Sequence, residues 1–131
     1  MLNRLVQLEE NIHELENIWK TIDDSKFSEG KLSEWGLRYG LFESIQIVID
    51  IACHLVAKYN LGNPQNYREC ITLLKKYNYI AKDVAQNLEK MIGLRNLLVH
   101  EYADINMEEL KNLLHQLNDF KKFIQEIREY M

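Results

Sequence analysis

Apolar side chains recur at spacings of three and four along most of this chain. Leu5, Leu8, Ile12, Leu15, Trp19 and Ile22 form the first such series, and that spacing places them on one stripe of an amphipathic helix. The helix should end near Asp23-Asp24-Ser25, and Ser28 is placed to cap a second helix running from about Glu29 to Tyr59. In the middle of that second helix Phe42, Ile45, Ile47, Val48, Ile49, Ile51 and Ala52 point in nearly every direction around the axis, which predicts burial on all sides. A domain of this size has little material with which to cover one helix twice, so a homodimer packed partly through this segment is expected. Gly36 and Gly40, one turn apart, either admit another backbone or have no special role.

Leu61-Gly62-Asn63-Pro64-Gln65-Asn66 holds the single proline beside a glycine and two asparagines, a composition that makes a loop. A short third helix follows over about Tyr67 to Tyr77, and a fourth from about Ala81 to Tyr102 carries Val84, Leu88, Met91 and Leu98 on one seam. Asn106 with Glu109 three residues on forms a capping box for a fifth helix. Its stripe is Leu110, Leu113, Leu117, Phe120, Ile124, Ile127 and Met131. The expected fold is therefore all-α, an up-and-down bundle of about five helices forming a single domain over residues 1–131. Composition agrees: one proline, five glycines and 47% hydrophobic residues suit helices and suffice for one core without disulfides.

Cys53 and Cys70 have no C-x-x-C pairing and read as reduced thiols of a cytosolic protein. With no signal-like N-terminus and no apolar run read as a membrane span, the cytoplasm is the expected location. A formal charge of −4 argues against a broad groove working by phosphate neutralisation alone, so any contact with nucleic acid must be local. His13, His54 and His115 lack partners at ligand spacing and read as surface or packing histidines, and no metal or cofactor is expected. Lys75-Lys76 and Lys121-Lys122 read as solvated helix faces, and Trp19 and Trp35 as core aromatics rather than base-stacking platforms.

The anomaly lies in helix four. Its seam advances as 84, 88, 91, 95, 98, 102, so Arg95 and Tyr102 occupy positions that the pattern assigns to apolar residues. A guanidinium near a core needs an anionic or hydrogen-bonding partner, and an anionic group is expected to meet Arg95. His100 lies five residues on, about 140° around an ideal helix, a gap that the long arginine side chain can close.

Arg95-Asn96-Leu97-Leu98-Val99-His100-Glu101-Tyr102 resembles the R-x4-H-x-Y signature of HEPN domains, and of their HepT branch in particular. The resemblance extends over the whole chain, through the helix count, the long second helix and the position of the motif. It implies the toxin of a toxin–antitoxin pair, acting as a metal-independent endoribonuclease in a homodimer. Arg95 and His100 would be catalytic, with Asn96 and Tyr102 supporting them or contacting RNA. It also implies a nucleotidyltransferase antitoxin of the MntA type that silences the toxin by AMPylation of Tyr102.

The residue types suit that chemistry. Cleavage by attack of a 2′-hydroxyl on the adjacent phosphate needs a proton acceptor, a proton donor and stabilisation of phosphate charge. An imidazole with an ordinary pKa of about 6.5 serves the first two near neutrality, and a planar guanidinium binds phosphate in a bidentate manner. From the residues alone, Arg95 and His100 can instead tie helix four to an acidic group such as Asp50. Asp50 interrupts the apolar middle of helix two and either orients Arg95 or His100 or is a solvated or capping carboxylate, so it stands outside the catalytic set. A different function class also stands: a non-catalytic module that partners a nucleotidyltransferase and holds its substrate or nucleotide. Such members of the resembling family typically lack the intact Arg and His that this chain keeps.

Overall fold

The computed structural model describes residues 1–23, 31–99 and 107–131, and only the backbone at 21–23, 31–33, 96, 99, 107–108 and 110–111. Among the described residues six α-helices follow one another: α1 Leu2–Asp23, α2 Lys31–Lys58, α3 Tyr67–Lys76, α4 Lys82–Val99, α5 Met107–His115 and α6 Leu117–Ile127. A short 3-10 turn, Arg128–Tyr130, follows α6. The expected caps at Ser28 and Asn106 lie outside the described residues.

The all-α bundle is as the periodicity predicts, with two local differences. The last apolar stripe is carried by two helices, because the chain turns at Gln116, whose amide donates to Leu113 O and whose carbonyl accepts from Asp119 N. The turn re-aims α6 so that it packs against both α1 and α4. Asparagine ends both α2 and α3. Asn60 (φ 53°) and Asn78 (φ 64°) adopt the left-handed conformation. Each is followed by an amide reaching back five residues, Leu61 N to Val56 O and Tyr79 N to Leu74 O, the Schellman pattern that satisfies the last carbonyls of a helix.

α2 is the central helix, packed by α1, α3 and α4. Ile47, Val48, Ile49, Ile51 and Ala52 are each at most 1% exposed within the single chain. These side chains are covered within the single chain, so their burial does not by itself call for a second copy, while Phe42, Gln46, Asp50 and Cys53 remain half-buried along one side of the helix. Between Glu34 and Lys58 this helix is in fact long and apolar enough to cross a bilayer, contrary to the expectation that no segment is, but its apolar residues line the core.

The cysteines also depart from expectation: Cys53 and Cys70 are joined in a disulfide, their Cα atoms 5.1 Å apart. α2 and α3 pack side by side across the 61–66 loop, so residues at similar distances from that loop on the two helices meet. The bond fixes the start of α3 against the core helix.

Candidate functional site

Two contacts set the end of α4. Arg38 of α2 donates from Nε to Leu98 O at 3.0 Å and from Nη2 to Leu97 O at 3.1 Å, so a cation meets the last described carbonyls of α4. The second contact is made by Arg95. Its Nη1 donates to Gln46 Oε1 at 2.5 Å, and its guanidinium carbon lies 5.2 Å from the centre of the Tyr67 ring. Tyr67, the first residue of α3, is 52% exposed and presents its π-face to the cation.

Behind Gln46 a polar chain continues between α2 and α1. Gln46 Nε2 donates to Asp50 Oδ1 at 3.0 Å, and Asp50 in turn pairs with Arg4 of α1. Among the described residues the hydrogen-bonding partner of Arg95 is therefore a neutral amide, where an anion was expected, and Asp50 stands one residue further back. The distinction matters chemically. Asp50 polarises the Gln46 amide into a better acceptor, while its own charge is balanced by Arg4. Arg95 is oriented, among the described residues, without direct contact with a carboxylate. Among the described residues its Nε is buried and makes no hydrogen bond. An oriented guanidinium whose charge no carboxylate meets among the described residues is suited to a phosphate.

Of the four expected site residues, the structure places Arg95 on the inner side of α4, facing α2 and α3, and the backbone of Asn96 beside it. His100 and Tyr102 lie outside the described residues. Among the described residues Asp50 reaches Arg95 through Gln46 and pairs with Arg4. The remaining candidates resolve into packing. His115 is edge-on to Trp19, with ring centres 4.6 Å apart, and Trp19 packs against the core. Lys75 approaches Glu89 at 3.8 Å and Lys121 pairs with Glu16 at 2.7 Å. Trp35 corrects its expectation: it is 58% exposed rather than core. Among the described residues no three His, Cys, Asp or Glu side chains are grouped as metal ligands.

Gln46, Arg38 and Tyr67 were not read from the sequence. A signal existed for Gln46, which stands one helical turn before Asp50 in an otherwise apolar run and so marks a polar stripe on α2. None existed for the other two, whose contacts depend on how helices distant in sequence pack.

Comparisons with known proteins place the whole chain beside characterised relatives. The sequence model of the family described as Ribonuclease HepT-like matches residues 8–127. The mRNA nuclease HepT of Shewanella oneidensis is 31% identical over 129 residues, covering 98% of this chain and 96% of the relative. The tRNA nuclease HepT of Aphanizomenon flos-aquae is 28% identical over 125 residues, 93% of this chain and 81% of the relative. Among solved structures, the tri-AMPylated Shewanella oneidensis HEPN toxin in complex with an MNT antitoxin superposes with a TM-score of 0.89 at 31% identity, covering 98% of this chain and 96% of that one.

Proposed function

This chain belongs to the HepT-like ribonuclease family, and from that premise we propose that it is the toxin of a toxin–antitoxin pair, a metal-independent endoribonuclease that cuts tRNA or mRNA in the cytoplasm. The observation that carries the reading is the state of Arg95: fixed by Gln46 and the Tyr67 ring, and paired with no carboxylate among the described residues. Such a group binds the scissile phosphate and stabilises the charge that grows on it. His100 takes the proton from the 2′-hydroxyl as its oxygen attacks phosphorus. The 5′-oxygen leaves with a proton returned to it, giving a 2′,3′-cyclic phosphate and a 5′-hydroxyl. Asn96 and Tyr102 hold the RNA backbone.

One imidazole cannot donate and accept at the same instant, and a second copy of the chain supplies the other. Four large apolar side chains support a dimer at this end of the molecule: Trp35 and Tyr39 of α2, at 58% and 59% exposure, and Leu94 and Leu97 of α4, at 38% and 43%. They lie around the Arg38 contact that joins α2 to the end of α4. Exposed apolar groups gathered in this way mark association surfaces. Light scattering is expected to give a dimer mass for the native chain and a monomer mass for Tyr39→Asp/Leu97→Asp. A monomeric native chain at micromolar concentration removes the dimer.

The antitoxin is a nucleotidyltransferase of the MntA type that transfers AMP to Tyr102. The AMPylated state of the Shewanella HEPN toxin supports this. Anionic nucleotides on Tyr102 would compete with RNA phosphate for Arg95. The test is incubation of the purified chain with total cellular RNA in excess EDTA. Cleavage is expected when Tyr102 is free of AMP by intact mass, and none after treatment with antitoxin and ATP. An unmodified chain that leaves RNA intact overturns the nuclease reading in favour of the non-catalytic module.

A further inference from the structure

Gly93 sits inside α4, where glycine is disfavoured by up to about 1 kcal/mol relative to alanine, and it is solvent-exposed, so the core does not require it. Against it lies the end of the exposed Arg68 side chain. A Cβ built at position 93 would stand 3.0 Å from Arg68 Nη2. The arginine therefore lies across the bare backbone of α4, one helical turn before Asn96 of the motif. Arg68 and Tyr67 are neighbours in the first turn of α3, and they straddle α4, with Tyr67 against Arg95 on the inner side and Arg68 over Gly93 on the outer. The Arg68 guanidinium forms no ion pair or side-chain hydrogen bond among the described residues. Next to it, a shallow open depression of about 440 Å³ is lined by Arg68, Gln86, Glu89 and Lys90. Glu89 is engaged with Lys75 and with the Thr72 hydroxyl, which leaves the cations to set the character of this surface.

We infer that Arg68, seated on Gly93, is a second phosphate-binding residue, taking an RNA phosphate that flanks the scissile one and leading the strand from the motif toward Lys90. This rests on the nuclease reading and extends its site across α4. The bare backbone at Gly93 leaves room for the guanidinium beside α4, where a larger side chain would displace it. The Cys53–Cys70 bond holds the same turn of α3 to the core helix.

The test uses the full chain carrying His100→Ala, so that RNA is bound without being cut, with a fluorescein-labelled single-stranded RNA of mixed sequence followed by anisotropy across a KCl series. Adding Arg68→Gln is expected to weaken binding about tenfold, the scale of one charged hydrogen bond. It should also reduce the slope of log affinity against log salt by about 0.7, one phosphate contact on a single strand. Gly93→Leu, at an exposed helical position, should raise or preserve the melting temperature and yet give the same loss of affinity. The two changes together should add nothing further, since each unseats the same contact. With His100 restored, Arg68→Gln should raise KM and leave kcat within about twofold, the mark of uniform binding. An Arg68→Gln protein with unchanged affinity and salt slope overturns the inference and leaves the nuclease intact. A parent chain that neither binds nor cuts RNA overturns both.

Discussion

His100→Ala and Arg95→Ala are each expected to lower the rate of metal-free RNA cleavage by about 10²–10⁴, with the folded state and melting temperature nearly unchanged. The range for the histidine is that of a positioned general acid or base. For the arginine it is the loss of one charge-stabilising donor set, about 10²–10³. Arg95→Lys separates charge from geometry. An ammonium keeps the charge but cannot present a planar fork to phosphate or lie flat on the Tyr67 ring, so most of the loss should persist. Gln46→Leu is the companion variant. It leaves Arg95 in place but removes the amide that aims it and strands one Asp50 oxygen beside Arg4, and a fall of roughly tenfold in kcat is expected from imperfect positioning. Single-turnover cleavage of a defined RNA in EDTA measures all four variants. Cleavage retained in both alanine variants would move the chemistry away from this motif.

The sequence made the anomaly of the site visible but left its surroundings hidden. A charged residue on the seam of helix four is conspicuous because periodicity is local, and the demand that it find a polar partner follows from desolvation alone. Which partner it finds depends on the register of α2 against α4, and that register selects Gln46 in place of Asp50, one turn away on the same stripe. Tyr67 and Arg68 are further from reach. They stand more than twenty residues before the motif, and only the packing of α3 along α4 brings them to it. Gly93 carried a signal, a glycine inside a helix, and only the packing of α3 shows the Arg68 guanidinium lying beside it. The homodimer argument shows the opposite failure. An apolar circumference does predict all-round burial, but the covering is supplied by α1, α3 and α4 of the same chain. The surface that supports association consists of side chains that no stripe accounts for, Trp35 and Leu97 among them.

Phe123→Ala tests how the last helix is packed. Read as a one-sided stripe, helix five carries Leu117, Phe120, Ile124 and Ile127 and leaves Phe123 at its margin, where truncation costs about 1 kcal/mol. In the structure α6 touches both α1 and α4, and Phe123 is as completely buried as Phe120, each at 0% exposure. Asp119, 8% exposed, is held in the same wall by Asn87 of α4 at 3.1 Å. An aromatic ring removed from such a place leaves a cavity that helices on two sides cannot close together, and the expected loss is about 3–5 kcal/mol. Against a total stability of roughly 5–15 kcal/mol this lowers the melting temperature by about 10–20 °C. Phe120→Ala should match it within about 1 kcal/mol, since both rings occupy the same layer. Urea and thermal unfolding of the two variants measure the difference directly. Near-equal losses establish that α6 closes the core on two sides and thereby braces the helix that carries Arg95, whereas a loss near 1 kcal/mol for Phe123 alone would return α6 to a single-faced surface helix.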